Sequence, residues 1–426
     1  MKSRIFLCFV LTLFVIGLYS CRDDKPTTPT DGEIPSSNET HFEAEWREGT
    51  VYFDESETST LIENDEENSV LVFSSSSDKA KNLKVGDVIV VHGLVLAKVS
   101  QISDNGSNIT VNYVPAKLTE AILNGNIEWN MTTDFTKAKE VTLIIPGKGS
   151  QVQQVNPEFT DISYTGKFGD YTYKIDLGLG ADEMDVKFDI KKKFGEYTSA
   201  TFSTEGKVKK IASVNSIQIT DSELTKFDSK NDNLRGELEV SMEVKAEAGS
   251  DNIGLEVPIV LIKYPFLVGP IPVVITMQVD FGIFYGIPLG AEAKSKVSAS
   301  FSFDSEGGFS YNGTEVNYDY TAGNINLSKK EGLTGAPSPV YAEFGVSYPY
   351  ITMNIFGNTV VPTFKTTFLI RGDYSPPVFG EPACHNAYLK FAGVAGVDLN
   401  LFNIDLYEND VQLWYKENHF LKEGCE

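Results

Sequence analysis

The chain has 426 residues, 41% of them hydrophobic, with 36 Lys and Arg against 59 Asp and Glu for a formal net charge of −23. That balance argues against nucleic acid and anionic lipid surfaces as partners, because an acidic field opposes the counterion release on which phosphate binding depends. The apolar fraction is ample for real cores, and the length allows two or three domains.

Lys2 and Arg4 make a basic start, and Ile5 to Leu18 follow as 14 residues without charge. This is the length of a secretory apolar region and is short for a bilayer span. An ordinary signal peptidase needs small residues at −3 and −1, yet a cut before Cys21 puts Leu18 at −3. The run Leu18, Tyr19, Ser20, Cys21 resembles the lipobox of bacterial lipoproteins. The resemblance implies that residues 1–20 leave as a lipoprotein signal peptide and that Cys21 becomes the lipidated first residue, so the membrane is a partner through the lipid anchor. Removing residues 1–20 takes away Lys2 and Arg4 and no acid, which moves the charge from −23 to −25.

Behind the cysteine, "RDDKPTTPTDGEIPSSNET" is rich in Pro, Thr, Ser and acids and buries too little apolar surface to offset its ordering entropy, so residues 21–40 read as a disordered tether. Arg22 is not the aspartate that retains many lipoproteins at the inner membrane, and Asp23-Asp24 resembles the acidic export tag of surface lipoproteins in one large group of Gram-negative bacteria. The implied location is the outer membrane, lipid-anchored and exposed at the cell surface. Plain secretion is the alternative, with the acids only keeping the tether solvated.

Period-two alternation recurs from residue 41 to the end, and a sustained helical period is missing, which predicts a mainly β fold. The first folded unit is expected over 41–136. Its strand candidates are "TVYFDE", "NSVLVFS", "VGDVIVVHGLVLAKVSQI" and "SNITVNYV", with "SDNGSN" as an Asn-Gly hairpin signal and "AKLTEAIL" as a short helix. Residues 83–123, through "LKVGDVIV" and "LAKVSQI", resemble small β-barrel modules with a Gly-Asp-Val turn that recur in secreted and surface bacterial proteins. The resemblance implies a spacer or presentation module without chemistry of its own.

A large antiparallel, sandwich-like domain with long strands is expected over 137–426. "YTYKIDLGL", "EMDVKFDI" and "ELEVSMEVKAEA" each put apolar residues on one face and polar ones on the other, as sheets with one wet side do. The longest alternation runs through residues 271–303. Odd positions from Ile271 to Ile283 are apolar, and after a Gly-Pro bend Ala291, Ala293, Val297, Ala299, Phe301 and Phe303 continue the pattern. Each arm of such a hairpin is about 13 residues, or roughly 43 Å. It reads as a long hairpin across an elongated sandwich, with a membrane-inserting hairpin of a lipid-binding or pore-forming protein as the alternative. Pro265, Pro270 and Pro272 rule out a spanning helix in the uncharged stretch around them.

With Cys8 in the signal and Cys21 lipidated, Cys384 and Cys425 remain as a pair in a chain bound for an oxidising compartment, and they are expected to form a disulfide that pins the last hairpin. Loop closure of that size stabilises by about 4 kcal/mol. A two-Cys, two-His zinc site with His385 and His419 is formally open but poorly spaced; His41 and His92 stand apart. Nucleophile elbow, phosphate loop and H-E-x-x-H motifs are missing, and "DSKNDN" fails as a calcium loop because Lys230 takes a ligand position. Acid pairs for glycoside hydrolysis would be invisible in sequence. Arg371-Gly372-Asp373 matches the adhesive tripeptide of integrin ligands, with turn chemistry as the plainer explanation. Trp46, Trp129 and Trp414 sit beside polar residues and are candidate sugar-stacking rings, though sheets also use aromatics as core. The resulting expectation is a non-enzymatic surface lipoprotein without metal or cofactor that binds or presents a glycan or protein ligand and does not bind nucleic acid.

Overall fold

The structure is a computed structural model and describes residues 39–145, 149–154, 161–193, 199–246, 251–255, 259–287, 293–331, 340–356, 359–378 and 380–425. Cys21 and the tether up to residue 38 lie outside the described residues. In chain order the strands are β1 (Glu39–Trp46), β2 (Thr50–Phe53), β3 (Leu61–Asp65), β4 (Val70–Ser74), β5 (Val88–Val91), β6 (Val95–Asp104), β7 (Asn108–Pro115) and β8 (Ile122–Thr132). Then come β9 (Glu140–Ile145), β10 (Gly149–Gln154), β11 (Asp161–Phe168), β12 (Tyr171–Leu179), β13 (Glu183–Lys193), β14 (Ser199–Lys209), β15 (Ala212–Thr220) and β16 (Glu223–Ala246). The last are β17 (Asp251–Leu255), β18 (Ile259–Val268), β19 (Ile271–Ile287), β20 (Ala293–Tyr311), β21 (Val316–Glu331), β22 (Val340–Ile355), β23 (Thr359–Ser375), β24 (Cys384–Asp398) and β25 (Tyr407–Glu423). The expected helix over 116–123 shortens to α2 (Leu118–Ala121), four residues that follow the earlier turn α1 (Asp78–Lys81). Ile122 already belongs to a strand.

Two large antiparallel sheets make the body of the molecule, as the alternation predicts. The first runs β1-β8-β15-β16-β14-β13-β12-β11, with β20 and then β21 added on the other edge of β16. The second runs β10-β9-β18-β19-β22-β23-β24-β25, with β17 beside the far half of β19. Their apolar faces meet. Phe301 and Phe303 of β20 lie 5.0 and 4.7 Å from Phe368 of β23, ring centre to ring centre, and Phe202 of β14 lies 5.8 Å from Phe344 of β22. Within the second sheet Phe368 stacks on Phe391 at 5.0 Å.

The third sheet, β2-β5-β6-β7-β4-β3, holds the small β module. Phe53 of β2 and Phe73 of β4 are four positions apart in that order, about 19 Å if the sheet were flat. Their rings stack at 4.8 Å, so the sheet is rolled around its own core of Phe53, Leu71, Phe73, Ile89, Val99 and Val111. The Asn-Gly signal forms the β6–β7 turn, with Gly106 at a φ of 84°. The boundary expected near residue 136 needs correction. β1 and β8 hydrogen bond into the first large sheet, where β8 pairs with β15. β5 is buried on both faces: Ile89 and Val91 enter the small core, Val88 and Val90 the large one. The module therefore shares a core with the sandwich, and the described residues form one compact unit.

The hairpin expected over 271–303 is also corrected. β19 and β20 do not pair; one lies in each sheet. Val273, Ile275, Met277 and Val279 are buried on one side of the core and Val297, Ala299, Phe301 and Phe303 on the other. The alternation serves the interior of the sandwich, because an apolar face on each sheet is what two packed layers require. The side chains of residues 280–295 lie outside what is described. Among the described residues no helix is long and apolar enough to cross a membrane.

Cys384 and Cys425 form a disulfide, separated by 41 positions. It ties the first residue of β24 to the segment just beyond β25, closing the open end of the last hairpin, where His385 pairs with Glu423. Phe368, 1% exposed amid Phe301, Phe303 and Phe391, is the aromatic centre of the core. Phe368→Ala is expected to cost about 3–5 kcal/mol, read as a lowered urea midpoint by tryptophan fluorescence.

Candidate functional site

The residues singled out in the sequence do not converge. With both sulfurs in a disulfide, Cys384 and Cys425 offer no thiolates, so the zinc alternative with His385 and His419 fails. His385 lies against Tyr374 at 4.8 Å, and His419 contacts Glu417 at 2.6 Å and Asn386 at 3.2 Å. His92 bonds the Tyr52 hydroxyl at 2.9 Å, and His41 is exposed, 3.8 Å from Glu43. Lys230 of the failed calcium loop sits in β16 and pairs with Asp232 at 2.8 Å.

Arg371-Gly372-Asp373 lies inside β23, between β22 and β24, and not at a loop tip. The Arg371 guanidinium spans its own motif to Asp373 at 2.9 Å and reaches Glu343 at 3.5 Å. An integrin-type partner would have to break that pairing and find the tripeptide in a flat strand. The tryptophans are corrected too. Trp129 and Trp414 are 2% and 6% exposed, and Trp46 stacks on Tyr52 at 5.2 Å. They are packing residues, as β propensity favours.

What the chain does assemble is a trough on the outer face of the first large sheet, with a volume of about 920 Å³ over β13, β14, β16, β20 and β21. A second hollow of about 430 Å³ adjoins it over β11 to β14 and shares Lys187, Glu205, Gly206 and Lys207 with it. Seven strands thus take part, about 29 Å across at normal strand spacing. Register sets the side chains in rows. One row reads Asp161, Gly178, Asp185, Lys207, Glu237, Ser302, Asn326, one residue from each successive strand. The next reads Ser163, Asp176, Lys187, Glu205, Glu239, Ser300. A third, shorter row brings Asp189, Ser203 and Ser241 together.

Seven carboxylates (Asp161, Asp176, Asp185, Asp189, Glu205, Glu237, Glu239) and two lysines line this surface, a local charge of 2 − 7 = −5. The lysines are engaged. Lys187 bonds Glu205 at 2.9 Å, and Lys207 reaches Asp185 at 3.3 Å as well as Glu183. Lys207 and Lys209 hold the Glu183 carboxyl down to about 2. Hydroxyls lie among the acids. Ser203 and Ser241 share a hydrogen bond of 2.8 Å, and Ser300 donates to Glu239 at 3.0 Å. Among the described residues, no group of three or more His, Cys, Asp or Glu is placed to hold a metal ion.

The chain matches no known protein family, and no curated protein or solved structure resembles it.

Asp189 differs from the other acids of the trough. Burial pushes its carboxyl up, against the opposing pull of Lys187 and Lys174. A raised folded-state pKa means that its contribution to stability is complete below the unfolded value of about 3.9 and is lost as pH rises through the folded value. Asp189→Asn, which resembles the protonated acid, should therefore raise the urea midpoint at pH 7. The gain should vanish at about pH 3, and a gain equal at both pH values would contradict the burial argument.

Proposed function

We propose that the chain is a non-enzymatic lipoprotein of the outer-membrane surface, anchored through Cys21, and that it binds an extended, neutral, hydroxyl-rich ligand in the trough. The observation that carries this reading is the trough itself: seven strands that bring side-chain rows of serine, asparagine and carboxylate onto one concave face. A glycan suits it better than a protein. A protein interface draws on a fully buried, apolar centre, whereas this surface offers hydroxyls and carboxylates with short hydrogen-bonding reach. Carboxylates accept from sugar hydroxyls and serines do either, so recognition would be by hydrogen bonds. An acidic polysaccharide is disfavoured by the local charge of −5. The address rests on the lipobox-like run Leu18–Cys21 and on Asp23-Asp24.

The binding reading is tested with the chain from residue 39 onward on an array of neutral and acidic polysaccharides and glycoproteins, with liposome leakage measured on the same sample. Saturable binding to a neutral polysaccharide without leakage is expected, and Ser241→Arg, on the wet face, should weaken it at least tenfold with an unchanged circular dichroism spectrum. Protein-only binding would replace the ligand class, and leakage would overturn the reading. For the anchor, a Gram-negative host fed radiolabelled palmitate should label the parent chain and not Cys21→Ala.

A further inference from the structure

The hollow of about 430 Å³ over β11 to β14 has a gap in its floor. Gly178 faces outward from β12, opposite Asp161 of β11 on one side and Asp185 of β13 on the other. Every other position in the three rows of the trough carries a side chain. The backbone does not call for glycine here. Gly178 sits inside a paired strand, outside the left-handed region that the turn glycines Gly106 and Gly169 use. Nor does packing call for it, as it does at Gly206, where a Cβ would come within 2.0 Å of the Glu237 carbonyl. The atoms nearest a Cβ at Gly178 all belong to aspartate side chains: Asp185 Cβ at 3.3 Å, Asp185 Oδ2 at 3.4 Å and Asp161 Oδ1 at 3.5 Å. Glycine within a strand lowers stability and often marks the close approach of a ligand.

What the missing side chain permits is convergence. Asp161 and Asp185 are both exposed and both line the hollow, and they lean over Gly178 from opposite sides. Their nearer oxygens, 3.4 and 3.5 Å from one point, are at most about 7 Å from each other; like charges brought together across a sheet are unfavourable. Lys207 answers Asp185 at 3.3 Å, whereas Asp161 has no ion pair or side-chain hydrogen bond among the described residues. Two acceptors are thus held over bare backbone with room above them for a donor.

We propose that Gly178 opens a subsite for two hydroxyls on adjacent carbons of one sugar residue, one donating to Asp161 and the other to Asp185. The C–H face of that residue lies against the bare backbone of β12. The inference rests on the reading of the trough as a neutral-glycan site and narrows its ligand from hydroxyls in general to a vicinal diol. Ionised carboxylates only accept, and hydroxyls supply the donors. Two O–H···O⁻ bonds of about 2.5–2.7 Å each, with the short gap between neighbouring hydroxyls, fill the span between the two acids. A metal ion fits less well, since among the described residues no three His, Cys, Asp or Glu are placed to hold one.

The test uses the chain from residue 21 carrying Cys21→Ser, which needs no lipid or detergent, in affinity electrophoresis through native gels holding one of two neutral glucans. Dextran, 1,6-linked, carries adjacent hydroxyls on every residue; laminarin, 1,3-linked, has none within its chain. The parent should bind dextran at least about tenfold more tightly than laminarin, the worth of hydrogen bonds to charged groups. Gly178→Val suits a strand and fills the gap, so it should fold at least as well and bring the two glucans within about twofold of each other. Asp161→Asn keeps the shape and loses the charge; it should weaken dextran about tenfold and leave laminarin within about twofold. Ser241→Arg, in the trough but outside this hollow, should weaken both glucans alike. The inference falls while the glycan reading stands if Ser241→Arg weakens binding but the parent shows no preference for dextran, if Gly178→Val weakens both glucans alike or neither, or if Asp161→Asn leaves dextran bound as before. If neither glucan binds the parent, the inference falls and the polysaccharide array decides the wider reading.

Discussion

The constraint on which the fold depends is the parity of its long strands. In a strand, side chains alternate faces, so a strand of 24 residues such as β16 must keep one parity inward along its whole length or switch it at a bulge. β16 switches. Phe227, Ser229 and Asn231 point inward before the irregularity between Asn231 and Leu234, and Leu234, Leu238, Val240 and Met242 point inward after it. Its neighbour β20 keeps odd residues inward throughout, from Val297 to Tyr311. The second sheet uses the same device in β22, where Phe344 and Val346 give way to Ile351, Met353 and Ile355 across the shift between Ser347 and Tyr350. Pro349 occupies that shift and Pro362 the corresponding one in β23, between Val361 and Thr363. Two prolines in central strands would each remove a ladder bond; at bulges they remove none that is needed.

The price of the switch is polar material inside. Ser229, Asn231 and Ser305 are buried around the bulge of β16, and the hydroxyls of Ser229 and Ser305 have no protein partner. Small hydroxyls are the mildest groups to leave there, and the glycines Gly307 and Gly308 lie alongside, opposite Asn231 and Lys230. Added side chains would not fit: a Cβ on Gly307 would come within 2.0 Å of the Phe364 ring, and one on Gly308 within 2.2 Å of the Ser229 carbonyl. The Phe364 ring of the second sheet takes up the space that a side chain at Gly307 would need.

Much of this was legible in the sequence and some could not be. Alternation in "YTYKIDLGL" and "EMDVKFDI" gave both the strands and their inward residues, because a half-buried antiparallel strand leaves a period of two that local sequence alone reveals. The same alternation through 271–303 was read as one hairpin, since period says which face is apolar and nothing about which sheet receives it. A crossover between layers and a hairpin have the same pattern. The boundary near residue 136 failed for a related reason: β5 has four apolar residues in a row, Val88 to Val91, and only the tertiary arrangement reveals that alternate ones enter different cores. The trough was half visible. Asp185, Lys187 and Asp189, or Ser300 and Ser302, stand out as the wet face of their strands, but the order β13-β14-β16-β20-β21 that lines them up joins residues more than 130 positions apart. Gly178 carried no signal of its own, since the two aspartates that flank it are set there by register.

The electrostatics of the trough follow from the same register and narrow what it can serve. Because each row crosses neighbouring strands, opposite charges fall side by side, Lys187 against Glu205 and Lys207 against Asp185, and the lysines are consumed within the sheet. Asp176 is answered from beyond the lining, by Lys174 at 2.5 Å. Glu183, beside this surface, is held down to about 2 by Lys207 and Lys209, which both pair with it. Only Asp189, pushed up by burial, moves in the other direction. A surface lined by seven carboxylates, with its two lysines paired within the sheet and serines at both ends of its rows, is poorly made for an anionic polymer. It is better made for constant, shallow hydrogen bonding along an uncharged chain of hydroxyls.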